Sequence, residues 1–596
     1  MKRALSLKGI PVSPGVAVGR AVVWVSREDA SPRRALEPEE IEGEVERFRR
    51  AAESAVEEVQ STAVQVKELL GPEYAAIFHA HALFLKDRAF LGPVEKRITL
   101  EAVNAEWAVT AEADALVARF RSLPDEELAH RAADLEDVTQ IVLKHLGEES
   151  EGRLKMEDLS GEAIVLLADE IAPSDAVRIP RDRVIGFATE RGGATSHAAI
   201  LARSFGIPAV VGVPRLLESV GEGDRVVVDG RDGVVWREPP EDVVALFRNR
   251  REQEARREKS LKERSVEGVA RTRDGVELAV RANIELASEV ADVCEYGADG
   301  VGLFRSEFIY LATGSLEFPD EGAQTTIYRD VLRRLAPRPV VIRTYDLGGR
   351  KGARQLVGND EVNPVLGLRG VRLCLARPEM FRTQLLSLLA SASAGDLRIL
   401  VPMVSGVEEV RRVRALLEEA RADLTERGVA VPDHVPLGVM IEVPSAAVTV
   451  DLIAPEVDFL SLGTNDLIQY TLAVDRANET VSDLFCPHHP AILRLVARVT
   501  EAARAARTPL AICGEMAGDP SLFLLLLGLG IREFSMGPRT VPNIKEFART
   551  VSTQEAARVA RAALSLATPD EVAALLALEM RELPTVTRGP GAEVTA

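Results

Sequence analysis

From about residue 270 onward, short apolar runs alternate with longer stretches whose apolar residues recur at helical spacing. Eight of the runs read as strands, near 278–284, 300–304, 340–343, 398–403, 437–442, 459–462, 510–513 and 533–536. The stretches between them read as helices, as in RRVRALLEEARADLTERG at 411–428. Eight strands alternating with helices over about 300 residues fit a (β/α)8 TIM barrel in length and order. An open doubly wound sheet is the alternative, but no glycine-rich dinucleotide fingerprint follows the first strand.

The first half of the chain has a different texture. KGIPVSPGVAVGRAVVWV (8–25) is rich in Gly, Pro and Val and predicts short strands and turns. From about Pro38 to Leu146 the apolar residues keep helical spacing among Glu, Arg and Ala. Pro72, Pro93 and Pro124 punctuate this run, which predicts an antiparallel helical bundle. Strand-like segments return at 162–168, 183–189, 208–213 and 224–230, so the early and late strands are expected to form one β-rich domain with the bundle inserted. Residues 241–265 are highly charged and lack Pro and Gly, predicting a solvated connecting helix with i,i+4 charge pairs. The fold class expected is a multidomain α/β chain with these boundaries: a discontinuous β/α domain at 1–30 and 147–235, a helical bundle at 31–146, a linker helix at 236–266, a TIM barrel at 267–578 and a tail at 579–596.

Composition narrows the partners. Across 596 residues, 73 Lys and Arg stand against 92 Asp and Glu, a net charge of −19. That disfavours nucleic acid bound through a basic surface. Aromatics are only 4% of the chain, so its cores rest mainly on Ala, Val, Leu and Ile. The four cysteines show no CxxC or zinc-finger spacing, which argues for a reducing compartment. The start of the chain has no apolar run long enough for a signal peptide, and Leu522 to Leu529 falls far short of a spanning helix of about 20 residues. A cytoplasmic protein without membrane insertion is expected.

The sharpest local signal is RGGATSHAAILARSFGIPAVVG (191–212). Gly192 and Gly193 permit a tight turn, Thr195 and Ser196 are good N-cap residues, and AAILARSF continues as a helix. His197 is thus placed at a helix N-terminus, where free N–H groups and the dipole favour phosphate and the neutral, nucleophilic imidazole. A capping histidine without chemistry is the alternative. A Ser-His-Asp hydrolase lacks its GxSxG elbow here.

Barrel strands present their functional residues at their C-terminal ends. Those ends carry Arg305, Arg343, Glu442, then Asn465 and Asp466 with Arg476 soon after, and Cys513. Three arginines suit a ligand bearing phosphate and carboxylate. Two hard carboxylates suit Mg²⁺. Taken singly, each has a plain structural alternative as salt-bridge partner, helix cap or buried filler. Their joint placement on one rim is what points to a site.

GGATSHAAILARSFGIPAVVG, GLFRSEF, IRTYDLGG, NPVLGLRGVR, MIEVPSAA, SLGTNDLIQYTLAVDR and CGEMAGD, in this order, resemble the successive signatures of the enzyme I family, the phosphoenolpyruvate–protein phosphotransferases of the sugar phosphotransferase system. The resemblance runs from the N-terminus to about residue 575. It implies that the β/α domain is a swivelling phosphohistidine domain and that His197 is phosphorylated, with the ε2 nitrogen favoured. It further implies that Arg305, Arg343, Asn465, Asp466 and Arg476 bind phosphoenolpyruvate, with Arg369 as an additional contact. Glu442 and Asp466 would ligate Mg²⁺, and Cys513 would protonate the departing enolpyruvate. The bundle would dock the histidine-containing phosphocarrier protein HPr, and the barrel would form a homodimer.

Three departures stand out: His79 in IFHAH where the family is acidic, Glu136 where it is commonly basic, and a looser PDEGAQTTIY at 319–328. The two in the bundle bear on carrier recognition. A pyruvate phosphate dikinase or phosphoenolpyruvate synthase would need a nucleotide-binding domain ahead of the histidine domain. A non-catalytic regulatory paralogue would not be expected to retain the full residue set.

Overall fold

The structure, a computed structural model, describes residues 4–24, 32–69, 78, 81–82, 84–121, 126–147, 163–171, 183–193, 199, 202, 206–311, 318–348, 363–476, 478 and 481–583. The chain divides into two compact units, Met1–Ala255 and Arg256–Ala596.

The first unit is built on one eight-stranded mixed sheet. Its strands are β1 (Leu5–Lys8), β2 (Ile10–Ser13), β3 (Val16–Trp24), β4 (Ile164–Ala168), β5 (Val184–Thr189), β6 (Ala209–Val211), β7 (Arg225–Asp229) and β8 (Val234–Arg237). Their order is β1-β8-β7-β3-β4-β5-β6-β2, so strands from both ends of the unit share the sheet. Strands β3 to β6 run parallel. The IVLLA run of β4 is buried at every position because both its faces are covered. Ile164, Leu166 and Ala168 join Phe187, Ala199 and Ala202 on one face. Val165 and Leu167 join Val226 and Val228 on the other, the two-residue period of a strand.

Helices Ile41–Leu69, Arg88–Glu101, Ala105–Arg121 and Glu126–Leu146 lie between β3 and β4 in sequence. Phe48, Ala55, Val59, Val94, Ile98 and Val142 give them a core of their own. Pro93 does not punctuate this run as its sequence suggested. It lies inside Arg88–Glu101, at the sixth position, where it removes one intrahelical N–H donor. The charged connecting helix spans Glu241–Glu267. Among its described side chains, Arg250 reaches Asp229 (3.1 Å) and Arg264 reaches Glu546 (3.0 Å).

The second unit is a closed barrel. A two-residue strand, β9 (Ala270–Arg271), leads into β10 (Glu277–Ile284). Then follow β11 (Val301–Arg305), β12 (Val340–Arg343), β13 (Leu397–Val401), β14 (Leu437–Ile441), β15 (Phe459–Leu462), β16 (Leu510–Ile512) and β17 (Glu533–Met536). Each of β10 to β17 pairs in parallel with the next, and β10 pairs with both β11 and β17, which closes the cylinder and excludes the open sheet. Outward residues such as Val439, Ile441, Leu460 and Leu462 pack into the helical layer. Leu303, Val341, Leu400, Met440, Phe459 and Cys513 pack inside.

The apolar segment 522–529 forms helix Pro520–Leu529, buried from Leu522 to Leu527. At Gly528 a Cβ would lie 2.0 Å from the Ala556 carbonyl oxygen, so this glycine permits the close approach of helix Thr553–Ser565. No described helix is long and apolar enough to cross a membrane.

Candidate active site

The C-terminal ends of the barrel strands carry a continuous charged network. Strands β11 and β12 terminate on Arg305 and Arg343. Arg305 pairs with Glu285, just past the end of β10. Arg343 is buried, pairs with Glu307, and reaches Asp346 at 3.0 Å. Burial opposes its charge, but Glu307, Asp346 and Glu442 outweigh that and hold it above the ordinary arginine value.

Arg369 joins the network from the loop after Pro364–Leu366. Its Nη2 lies 2.9 Å from Asp346 and 3.2 Å from Asp466, and its Nη1 donates to the Tyr470 hydroxyl at 3.0 Å. Two glycines make this delivery possible. Gly348, at φ +120°, would place a Cβ 2.4 Å from the Arg369 Cβ, and Gly370, at φ +56°, would place one 2.7 Å from Met403.

Asn465 and Asp466 lie not at a strand end but on the first turn of helix Thr464–Leu472, which follows β15. Asp466 is buried, and Arg476 approaches it at 3.9 Å from an exposed position. Asn465 exchanges hydrogen bonds with Glu515, donating to its carboxylate at 3.0 Å and accepting its N–H at 3.1 Å.

Glu442 follows β14 and is buried. One of its oxygens accepts the Met403 N–H at 2.6 Å. Burial, then Asp466 and Asp346, push its carboxyl up to about 8, more than Arg343 and Arg369 offset. Cys513 follows β16 and faces the lumen beside Ser461. Burial raises its thiol to about 11, with Ser461 pulling the other way and Glu442 adding to the rise. Arg305 and Arg343 act on the same thiol, so all of these groups share one mouth.

The guanidinium groups of Arg305, Arg343, Arg369 and Arg476 therefore meet the carboxyls of Glu285, Glu307, Asp346, Glu442 and Asp466, of which Glu442 is held protonated near neutral pH. Glu442 and Asp466 offer hard oxygen donors, and the Glu442 carboxyl, raised by burial first and by Asp466 and Asp346 next, would give up its proton to a divalent cation. Among the described residues no group of three or more His, Cys, Asp or Glu side chains is placed to hold a metal ion. The Nε atoms of Arg305 and Arg343 and the Thr464 hydroxyl are buried without a hydrogen-bond partner among the described residues, as expected of groups that meet a ligand.

The sequence reading missed the acids that hold the arginines. Asp346 sits three residues beyond Arg343 and Glu307 two beyond Arg305, so both stood inside quoted motifs. Tyr470 lies one helical turn after Asp466. His197 and residues 194–198 lie outside the described residues, as do His79 and the side chain of Glu136. On either side of the histidine segment, Gly192 adopts φ +101° and Ala199 and Ala202 are helical.

Three family models match the chain: the N-terminal region of PEP-utilising enzymes at 8–131, their mobile domain at 161–233 and their PEP-binding domain at 259–553. The phosphoenolpyruvate-protein phosphotransferase of Bacillus sp. (strain S) is 41% identical over 574 residues, 96% of this chain and 97% of its own length. The chain belongs to the phosphoenolpyruvate-protein phosphotransferase family. A member from Geobacillus stearothermophilus is 40% identical over 96% of this chain and 97% of its own length. Among solved structures, a solution structure of Enzyme I is 34% identical, covers 42% of this chain and 99% of itself, and superposes with a TM-score of 0.35.

Proposed function

We propose that this phosphotransferase moves the phosphoryl group of phosphoenolpyruvate to its own His197 and then to a histidine of HPr, releasing pyruvate, as enzyme I of a sugar phosphotransferase system. The observation that carries the reading is the convergence of Arg305, Arg343, Arg369, Glu442, Asp466 and Cys513 on one barrel mouth.

In this reading Arg305, Arg343 and Arg476 hold phosphate oxygens, with Arg369 and Asn465 completing the grip on the substrate. Anion binding would draw the guanidinium groups partly away from Glu285, Glu307 and Asp346, which keep them aligned beforehand. Glu442 and Asp466 would hold Mg²⁺, which when bound supplies positive charge to phosphoryl oxygens. His197 attacks phosphorus in line as the bond to the enol oxygen breaks. The enolate that remains takes a proton at its methylene carbon from the Cys513 thiol, which burial keeps protonated through neutral pH.

The eight-stranded sheet of the first unit would be the swivelling phosphohistidine domain, since one histidine must serve two separate reactions. The inserted helices, with a core of their own, would carry the HPr-docking surface. A homodimer through the barrel is supported by Val448 and Leu452, apolar yet exposed on neighbouring short helices. The four free cysteines support a cytoplasmic setting.

Incubation with labelled phosphoenolpyruvate and Mg²⁺ tests the reading. The parent, but not His197→Ala, should acquire acid-labile, alkali-stable label, release pyruvate and pass the label to HPr. Label that needs a nucleotide to turn over would indicate dikinase chemistry. A folded parent that takes no label would leave a regulatory role.

A further inference from the structure

Each turnover leaves Cys513 without its proton. As phosphoenolpyruvate becomes pyruvate, a C–H bond forms at the methylene carbon, the S–H bond breaks and a thiolate remains. Before the next turnover that thiolate must regain a proton drawn ultimately from water. Cys513 is 4% exposed and lies in the barrel lumen, and the mouth above it is where substrate and product sit.

Among the described residues two groups hydrogen-bond the sulfur. The Leu462 carbonyl oxygen lies 3.5 Å away and can only accept a hydrogen bond. The Ser461 hydroxyl donates to Sγ at 3.2 Å, and a hydroxyl can both give and take a proton. Ser461 is itself buried, 1% exposed, on the lumen side of β15.

Ser461 also lines a second space. A cavity of about 190 Å³ lies at the opposite end of the barrel from the charged mouth. Asp396, Pro436, Asp458 and Pro509 border it, and each immediately precedes a barrel strand, which fixes the cavity at the N-terminal ends. Ser461 itself lines this cavity, so it borders both the thiol and the N-terminal end of the barrel. Gly302 and Ala511 line the cavity as well, and the Phe459 ring lies so close to Gly438 that a Cβ there would be 2.4 Å from it. TIM-barrel lumens are ordinarily filled with bulky side chains. Here the apolar packing is confined to the middle of the lumen, and the cavity below it, bordered also by Arg281, Arg398 and Glu533, is large and polar enough for several waters.

We propose that Ser461 is a proton-relay residue that reprotonates Cys513 from water entering through the N-terminal end of the barrel. The Cys513 thiolate takes the Ser461 hydroxyl proton while the serine oxygen takes one from a cavity water. The hydroxide left behind is neutralised by a hydronium ion or buffer acid from outside. The groups facing the thiol are Glu442, Arg343 and Arg305 on the mouth side and Ser461 on the cavity side. Of these, Ser461 alone lines the cavity. The relay lets the thiol recover while the mouth is occupied. It rests on Cys513 being the proton donor, as proposed above.

Exchange between phosphoenolpyruvate and carbon-labelled pyruvate, run in D2O without a carrier protein, tests the route. Carbon exchange passes one proton back and forth between Cys513 and substrate and needs no solvent proton. Deuterium reaches the methyl carbon only when the thiol equilibrates with solvent. The quantity read is deuterium incorporated per carbon exchanged. Ser461→Ala should lower that ratio at least tenfold, and Ser461→Thr should hold it near the parent's. Ala511→Leu, which fills the cavity and keeps the hydroxyl, should lower it as well. A parent-like ratio in either Ser461→Ala or Ala511→Leu overturns the relay. If Ser461→Ala loses carbon exchange altogether, the Ala511→Leu ratio decides. A parent without carbon exchange, or Cys513→Ala with undiminished deuterium, overturns the underlying reading and the relay with it.

Discussion

Arg369 Nη2 lies 3.2 Å from Asp466 Oδ2, deep in the barrel mouth, while the same guanidinium grips both oxygens of Asp346 at 2.9 and 3.1 Å. One arginine therefore orients a proposed Mg²⁺ ligand and cancels a second acid. Arg369→Lys keeps the charge but loses the planar two-armed contact. Charge-assisted hydrogen bonds contribute about 1.5–3 kcal/mol each, so KM for phosphoenolpyruvate should rise roughly ten- to a hundredfold. Among the described arginines, Arg369→Met leaves buried Asp466 only the distant Arg476 and leaves Asp346 its contact with Arg343, and should destabilise the barrel by about 3 kcal/mol. Steady-state kinetics and urea unfolding read the two effects. A kinetically normal Arg369→Lys would show that this arginine does not meet substrate.

The raised carboxyl of Glu442 makes a pH-dependent claim. Its folded value, about 8, exceeds the 4.5 of an unhindered glutamate because of burial first and Asp466 and Asp346 next. The folded state then binds this proton more tightly than the unfolded state. The group's contribution to stability is full below the unfolded value and is lost as pH rises through about 8. Metal-free protein should accordingly lose stability from about pH 5 to pH 8, and Mg²⁺ should restore it. Calorimetry at pH 7 in buffers of different ionisation heat should show roughly one proton released per Mg²⁺ bound, and none for Glu442→Gln. Metal binding without proton release would place the ion elsewhere.

The barrel was legible in the sequence because each of its strands is a short apolar run set between helical stretches, and all eight lie within a few residues of their expected positions. The VVWR strand β8 was not, being four residues wedged between a turn and the long charged helix. Met403, placed in a strand by its apolar neighbours, instead turns left-handed at φ +59° and offers its N–H to Glu442. Site residues at strand ends were legible because the topology puts strand ends at the mouth. Their partners Glu285, Asp346 and Tyr470 come from loops and a helix whose approach depends on tertiary packing, which no local pattern encodes.

Cys513, with its thiol raised to about 11, should remain protonated through neutral and mildly alkaline pH. The pH profile of labelling by phosphoenolpyruvate should therefore show no alkaline limb from this group below about pH 10. General acids contribute about 10²- to 10⁴-fold, so Cys513→Ala should slow that labelling by a factor in this range. The same variant should still take phosphate back from phosphorylated HPr at the parent rate, since that transfer needs no proton on carbon. Loss of both reactions together would mean the substitution damaged more than the acid.

Lys545 is 1% exposed, and its ammonium donates to the Gly297 carbonyl and to Asp299, each at 2.7 Å, with the Ser265 and Gly268 carbonyls at 3.4 Å. It thereby ties the C-terminal end of the charged helix to the loop before β11, at the end of the barrel opposite the mouth. Lys545→Met preserves the stem but leaves Asp299 and the carbonyls without their donor. Breaking a buried ion pair from one side costs about 3–5 kcal/mol, and the partial exposure of Asp299 argues for the lower figure. The urea midpoint of the barrel should fall accordingly, while KM for phosphoenolpyruvate stays at the parent value because the mouth keeps its residues and their partners. A changed KM with an unchanged midpoint would mean that this end of the barrel communicates with the mouth and does not merely brace it.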